Sequence, residues 1–290
     1  MKIGLYDVDS KIPNLALMKI AAYHADDDVE FYSPLFADQY DKIYASKVFT
    51  FSDGSYLDPD RMIIGGSGWD LSTKLPDEID WMTPDYTIYN YPHSIGFTMR
   101  GCRLRCKFCV VPEKEGGPVG ENSIGDIWTQ RDSDLIMLLD NDFFGQDYWA
   151  DRIEEIKKHN LRVNFSQGIN IRNIKPEQAE ALASIRFRNP SGDKHQCCFA
   201  WDDVRHEKLI RKGIGTLSDV GIKTWQMMFY VLIGYDSTPE EDLYRVEQLR
   251  MWGCDPFVMP YQKADPYQRR FARWVNHKAT FKTVAWEDYR

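Results

Sequence analysis

The sequence has no long apolar run, no low-complexity tract and no short internal repeat. A membrane-spanning helix needs about 20 consecutive apolar residues, which excludes a transmembrane protein and a membrane partner. The N-terminus, MKIGLYDVDS, has one early lysine, a short apolar run and acids, which is not the pattern of a secretory signal peptide. Because 43% of the residues are hydrophobic, we expect a soluble, cytoplasmic protein with a sizeable core.

An excess of positive charge is also missing. The formal net charge is −8, and residues 1–93 contain 16 acidic against 7 basic residues. Residues 94–290 are nearly balanced, with 28 acidic and 29 basic residues. A diffuse nucleic-acid-binding surface needs a basic domain, and neither part is one. Local basic clusters, which are ordinarily solvated surface, lie beside the cysteines and near the end of the chain: Arg100, Arg103, Arg105, Lys107, Arg269, Arg270 and Arg273.

The six cysteines are few and unevenly placed. Three lie within eight residues, Cys197 and Cys198 are adjacent, and Cys254 stands alone. Disulfide-stabilised secreted domains space their cysteines along the chain, whereas a tight cluster in an intracellular chain indicates metal binding. The pattern therefore favours a metal site over a disulfide framework.

Apolar periodicity divides the chain near residue 93. Before this point, four short strands and one amphipathic helix predict a small open parallel sheet. After it, six short strands alternate with amphipathic helices, which predicts parallel strands covered by helices. We therefore predict an α/β fold with a small Rossmann-like lobe, 1–93, before a partial (β/α)6 barrel, 94–290, that ends in a helix and a tail. The predicted strands are 2–8, 29–32, 42–44, 62–64, 94–100, 135–139, 162–166, 196–200, 228–233 and 257–259, and the main helices are 14–24, 123–131, 147–159, 175–184, 203–219, 239–252 and 265–277.

A C-x3-C-x2-C motif, formed by Cys102, Cys106 and Cys109, directly follows the first predicted barrel strand. Thiolates are the ligands of iron–sulfur clusters, and a four-iron cluster normally takes four of them. Three cysteines leave one iron without a protein ligand, and an open position distinguishes a catalytic metal site from a closed structural one. The alternative is a structural zinc site, for which His93, nine residues before Cys102, is the nearest fourth ligand.

The motif, with the aromatic residue Phe108 immediately before the third cysteine, resembles the radical S-adenosylmethionine superfamily over residues 94–262. The resemblance implies a [4Fe–4S] cluster whose open iron is chelated by the amino and carboxylate groups of S-adenosylmethionine. An electron from a donor such as flavodoxin or ferredoxin then yields methionine and a 5′-deoxyadenosyl radical, which abstracts hydrogen from the substrate. Substrates compatible with the sequence are a nucleic acid base, a nucleotide, a peptide or a small metabolite. The competing hypothesis is a non-enzymatic zinc- or iron–sulfur-binding module.

The resemblance also implies cofactor contacts at the ends of the second and third barrel strands. Asp140 and Asn141 stand where the superfamily often has a Gly-Gly-Glu segment that accepts hydrogen bonds from the ammonium group, although this sequence lacks those residues. Gln167 and Arg172 follow the third strand, and a guanidinium there could pair with the methionine carboxylate through two hydrogen bonds. The alternatives are a turn cap for the acidic segment and an ordinary ion pair for the arginine.

Later strand ends supply the remaining candidate residues. Asp202 follows the fourth strand and is predicted to bind a ribose hydroxyl, and Gly234 ends the strand that contacts adenine in the superfamily. Adjacent strand residues point to opposite faces, so one of Cys197 and Cys198 faces the barrel lumen, and Cys198 is the candidate hydrogen donor. Tyr261, after the sixth strand, is the candidate that orients a substrate ring or quenches a radical. Packing in the core is the alternative for both catalytic candidates.

The N-terminal lobe resembles the cobalamin-binding domain of one branch of the superfamily, and the N-terminal domain of the tRNA methylthiotransferases. The likeness consists of the element order and the run Ile63-Ile64-Gly65-Gly66. Residues 1–93 have no Asp-x-His-x-x-Gly motif and no cysteine, and no sequence is left for an RNA-binding β-barrel after the predicted barrel. We therefore expect a lobe without its own cofactor, while cobalamin held without a histidine ligand stays open.

Overall fold

The structure is a computed structural model that describes residues 1–289. The chain forms two compact units. The N-terminal unit consists of Met1–His93 together with Cys109–Gly116, and the C-terminal unit consists of the remaining residues. The return of Cys109–Gly116 to the N-terminal unit has no counterpart in the sequence prediction.

The N-terminal unit is built on a four-stranded parallel sheet with the strand order β2-β1-β3-β4. Alternation along β1 directs Ile3 and Leu5 into a core with Leu17 and Ile20 of the first helix. That helix begins after Asn14, whose side-chain oxygen accepts hydrogen bonds from two backbone N–H groups of the first turn. The elements are β1 (Lys2–Asp7), α1 (Leu15–Tyr23), β2 (Asp28–Phe31), β3 (Lys42–Ser46), β4 (Ile63–Gly65), α2 (Asp77–Asp80) and α3 (Val111–Lys114).

The C-terminal unit contains two parallel sheets with the strand orders β5-β8-β9-β10 and β11-β12-β13, and one antiparallel pair, β6-β7. The two parallel sheets meet where the Ile169 N–H donates to the Cys198 carbonyl at 2.7 Å. The strands are β5 (Ser94–Gly96), β6 (Met99–Arg100), β7 (Val119–Gly120), β8 (Leu135–Leu138), β9 (Arg162–Phe165), β10 (Arg186–Phe187), β11 (Cys197–Ala200), β12 (Met227–Ile233) and β13 (Asp255–Pro260). The helices are α4 (Ile124–Ile127), α5 (Trp149–Lys158), α6 (Pro176–Ala183), α7 (Glu207–Asp219), α8 (Pro239–Met251), α9 (Pro266–Asn276) and α10 (Lys278–Thr283).

The core of the C-terminal unit lies between the strands and the helices. Alternate residues of β11, Cys197 and Phe199, belong to this core together with Phe229 and Val231 of β12. Each fully buried large apolar side chain contributes about 1.5–3 kcal/mol relative to an exposed one. The intervening residues, such as Cys198, therefore lie on the opposite face of the sheet.

The α/β class with parallel sheets is confirmed. The predicted strand 94–100 is wrong in its length, because β5 ends at Gly96. The backbone N–H groups of Thr98 and Met99 instead donate to the carboxylate of Asp140, at 2.7 and 3.3 Å. These bonds take the chain out of the parallel ladder, so that Met99 and Arg100 pair with β7. The predicted helix 123–131 is likewise shortened to α4.

The helices of the described chain are all too short or too polar to cross a membrane. No helix among residues 1–289 has an apolar stretch long enough to span a membrane.

Candidate functional site

The cysteine motif occupies an irregular loop after β6. Cys102, Cys106 and Cys109 are half-buried and form no disulfide. The Leu104 N–H donates to the Cys102 sulfur at 3.4 Å, and hydrogen bonds to sulfur are one of the factors that set the potential of an iron–sulfur cluster. Cys102 and Cys106 belong to the C-terminal unit, whereas Cys109 begins the segment assigned to the N-terminal unit.

The donor set of this loop fits an iron–sulfur cluster in its chemistry, because it offers three cysteine thiols outside disulfides within eight residues. Across residues 1–289, however, the structure holds no group of three or more histidine, cysteine or acidic side chains arranged to bind a metal ion. The metal assignment stays a prediction.

Arg172 lies beside the second cysteine of the motif. Its Nη2 atom is 4.0 Å from the Cys106 sulfur, and its Nη1 atom is 3.3 Å from Nδ1 of His206. Burial, followed by the charge of Arg172, lowers the pKa of His206, so the imidazole is neutral at neutral pH. The guanidinium thus contacts an imidazole and a sulfur atom and forms no ion pair within the described residues, so it can bind an anionic ligand.

Asp202 lies close enough to Arg172 for the two charges to interact. Its Oδ1 atom accepts a hydrogen bond from the Leu232 N–H at 3.0 Å. Burial raises the pKa of Asp202, while the charges of Arg245 and Arg172 act in the opposite direction. The structure thus brings together Cys106, Arg172 and Asp202, three predicted site residues from three different strand ends, and adds His206, which the sequence prediction missed.

Asp140 is buried and directed toward the protein backbone. Its carboxylate accepts hydrogen bonds from Thr98 and Met99, including one from the Thr98 hydroxyl. Burial raises the pKa of Asp140 to about 7. The same Thr98 hydroxyl accepts a hydrogen bond from Gln146 at 2.8 Å. These contacts explain how Asp140 shapes the start of the cysteine loop, whereas its predicted role as a ligand of S-adenosylmethionine, like that of the half-buried Asn141, stays a prediction.

Three aromatic side chains form a row from the cysteine loop to the end of β13. The rings of Phe108 and Tyr235 are 5.5 Å apart, and those of Tyr235 and Tyr261 are 4.8 Å apart, both in edge-to-face geometry. Such pairs contribute about 0.5–1.5 kcal/mol beyond their buried area. Tyr261 keeps 49% of its surface exposed. The structure therefore joins two predicted residues through Tyr235, which follows Gly234 and was not singled out in the sequence.

Gly234 and Gln167 lie in contrasting surroundings. Gly234 has φ = +73°, and a Cβ atom there would lie 2.2 Å from the Nε2 atom of Gln268. Backbone conformation and close packing therefore both require glycine, and contact with adenine stays a prediction. Gln167 is exposed to solvent after β9, and its contact with S-adenosylmethionine also stays a prediction.

Cys198 is buried on the sheet face opposite the helix-packed core. Burial raises the pKa of its thiol to about 11, and the Tyr230 hydroxyl lies within hydrogen-bonding reach. The thiol therefore keeps its hydrogen at neutral pH, as a hydrogen donor must. The same face has exposed apolar side chains on β13, namely Phe257 and Met259, which are 43% and 37% exposed.

The basic cluster around the cysteines is partly neutralised. Arg100 forms an ion pair with Glu121 at 2.7 Å, and Arg103 pairs with Asp142, also at 2.7 Å. Near the end of the chain, the guanidinium of Arg270 stacks on the Trp286 ring at 4.6 Å. Ion-paired arginines contribute little net positive charge, so the electrostatic argument for a nucleic acid substrate is weaker than the sequence alone indicates.

Comparison with known proteins found no match, either among protein-family models or among curated proteins.

Proposed function

We propose that this chain is a radical S-adenosylmethionine enzyme, and that its C-terminal unit is a partial (β/α)6 barrel. The observation that carries the proposal is the C-x3-C-x2-C loop with the guanidinium of Arg172 beside Cys106. The strand order supports the barrel, because both parallel sheets follow the chain order and meet at Ile169 and Cys198. Barrel enzymes place their chemistry at the carboxyl ends of the strands, where these residues lie.

Cys102, Cys106 and Cys109 would hold a [4Fe–4S] cluster. When bound, the cluster and S-adenosylmethionine supply reductive cleavage to a 5′-deoxyadenosyl radical that abstracts hydrogen from the substrate. The electron would come from a protein donor such as flavodoxin or ferredoxin. In the protein, Leu104 donates its backbone N–H to one cluster ligand and Arg172 places positive charge beside another.

The remaining polar residues would orient S-adenosylmethionine. Arg172 would bind the methionine carboxylate, because its planar fork matches that group and it contacts the described residues without forming an ion pair. Asp202 would accept a hydrogen bond from a ribose hydroxyl, and Asn141 would accept one from the ammonium group. Phe108 and Tyr235 form an apolar wall between the loop and the end of β12.

Two residues would act on the substrate side. Cys198 keeps its hydrogen at neutral pH because burial raises the pKa of the thiol, which suits a hydrogen donor. Tyr261 offers a half-exposed ring and a hydroxyl, which suits the orientation of a substrate ring.

Anaerobic reconstitution with iron and sulfide tests the proposal. We expect about four irons per chain, and 5′-deoxyadenosine when S-adenosylmethionine and a reductant are added. Alanine at Cys102, Cys106 or Cys109 should abolish this product, while the matched variant Cys254→Ala, which removes a buried thiol outside the motif, should retain it.

Production of 5′-deoxyadenosine by any of the three motif variants at the wild-type rate would refute the proposal. One zinc per chain without sulfide would instead indicate the non-enzymatic metal module. A corrinoid spectrum, or seven to eight irons per chain, would contradict the expectation of a single cluster and a lobe without a cofactor.

A further inference from the structure

The cysteine loop is bound to a buried carboxylate that the proposed chemistry does not use. Arg103, which follows the first cysteine, donates from Nε and Nη2 to the two carboxylate oxygens of Asp142, at 2.7 and 3.0 Å. The backbone N–H of Arg103 also donates to Asp142 Oδ2, at 3.3 Å. Asp142 thus binds both the side chain and the backbone of one loop residue. The loop itself has no regular secondary structure from Gly101 to Val110, so side-chain contacts have to define its conformation.

Because Asp142 is buried, its ion pair with Arg103 tolerates little change. Asp142 is fully buried, and a buried carboxylate that loses its partner is strongly destabilised. Lysine cannot replace Arg103 without loss, because an ammonium group lacks the fork that engages both oxygens. The position of the Arg103 backbone is therefore coupled to the placement of Asp142 after β8.

The absence of a side chain at Gly145 is independent evidence that the ion pair between Asp142 and Arg103 is closely packed. A Cβ atom at this position would lie 2.4 Å from Asp142 Oδ2 and 3.0 Å from Arg103 Nε. The backbone N–H of Gly145 also donates to the Asp142 carbonyl at 2.6 Å. Only glycine leaves room for the ion pair, so the segment Asp142–Gly145 is shaped around Arg103.

We propose that Asp142 is a positioning residue for the cysteine loop, which acts through Arg103 to hold Cys102 in place before a cluster is bound. The consequence for the cluster rests on the proposed function, whereas the order of the loop does not. Preorganisation by a supporting shell is how ligating side chains reach a defined geometry without an ordering cost at binding.

The test compares Asp142→Asn, Arg103→Lys and Gly145→Ala with the matched control Asp134→Asn. Asp134 also pairs with two arginines, Arg162 and Arg186, but it precedes β8 and is partly exposed. In the cluster-free full-length chain, hydrogen exchange of residues 101–106 should be about tenfold faster in Asp142→Asn, which corresponds to about 1.4 kcal/mol. Exchange in β11 and β12 should stay unchanged, which separates loop positioning from general destabilisation.

The reconstituted chain provides the second measurement. The half-time of iron loss to a chelator should fall about tenfold in Asp142→Asn and Arg103→Lys, and the electron paramagnetic resonance spectrum of the reduced cluster should shift, while Asp134→Asn behaves as wild type. Wild-type exchange of the loop in both Asp142→Asn and Gly145→Ala would overturn the positioning role. Should Asp142→Asn fail to fold, Arg103→Lys decides the question, because this side chain is about one-third exposed.

The two hypotheses fail differently. If the wild-type chain binds no iron but Asp142→Asn loosens the loop, the proposed function is wrong and the positioning role stands. If the wild-type chain binds a cluster and loop exchange is the same in all variants, the function stands and the positioning role is wrong.

Discussion

Arg245 is a fully buried charge of the C-terminal unit, and its replacement by methionine provides a quantitative test of the structure. Its side chain has no exposed surface and pairs with Asp242, which is 1% exposed, at 2.6 Å. The guanidinium also donates to the carbonyls of Trp201 and Leu232, both at 2.9 Å. Arg245 therefore joins helix α8 to the carboxyl ends of β11 and β12, next to Asp202.

The expected loss in the free energy of unfolding follows from the groups that lose their partner when methionine replaces Arg245. Removing one partner of a buried ion pair costs about 3–5 kcal/mol, because the other charge stays buried without compensation. Folded domains are stable by about 5–15 kcal/mol, so Arg245→Met removes a large part of the total. For a domain of this size, about 2–4 °C are lost per kcal/mol, and we expect the melting temperature to fall by roughly 10 °C.

Urea denaturation and thermal unfolding of the full chain measure this change. The matched control is Arg211→Met, since Arg211 pairs with Glu207 at 3.8 Å on the surface and is 65% exposed. This variant should lose less than about 1 kcal/mol of the free energy of unfolding. The double variant Arg245→Met, Asp242→Leu should recover part of the stability, because no unpaired charge remains. Equal losses for Arg245→Met and Arg211→Met would refute the reasoning.

Three further predictions concern the site. Gly234→Ala should lower the free energy of unfolding by about 1–3 kcal/mol in urea denaturation, because φ = +73° and the contact with Gln268 both exclude a side chain; an unchanged midpoint would contradict this. Burial raises the folded-state pKa of Asp140 to about 7, so its proton stabilises the fold below pH 4, and this contribution is lost as the pH rises from about 4 to 7. Asp140→Asn should therefore gain stability relative to wild type across that range, and a pH-independent difference would refute the assignment. Tyr261→Phe should leave iron content and uncoupled cleavage intact while lowering substrate turnover, whereas reduced stability with normal turnover would assign Tyr261 to the core.

Local patterns predicted most of the secondary structure, because the relevant information lies within a few residues. The run Thr238-Pro239-Glu240-Glu241 predicts a helix start, and α8 begins there with the Thr238 hydroxyl accepting from the Glu241 N–H. Alternation in Cys197–Ala200 likewise predicts a strand with two faces, and Cys197 and Cys198 lie on opposite ones.

Long-range polar contacts could not be predicted from the same patterns. Asp242 and Arg245 are three residues apart in a helix, a spacing typical of surface ion pairs, yet both are buried. Asp140 and Asp142 look alike in the sequence, but one binds the backbone of Thr98 and the other binds Arg103. The early end of β5 depends on the carboxylate of Asp140, which follows the strand by more than forty residues in the chain. Local sequence propensity therefore could not predict where β5 ends.

The arginines near the strand ends fall into two groups that differ in their hydrogen-bond partners, and this difference bears on function. Arg103 and Arg245 each hydrogen-bond to a buried carboxylate, so their charges are compensated within the fold. Arg172 instead contacts the imidazole of His206 and the thiol of Cys106, and burial favours the neutral form of that imidazole. A partly buried cation that forms no ion pair gains more from an anionic group than an ion-paired one does, because less of the attraction is already satisfied. The carboxylate of an amino acid ligand would supply such a charge. The charge distribution at this strand end therefore suits an anionic ligand beside Cys106.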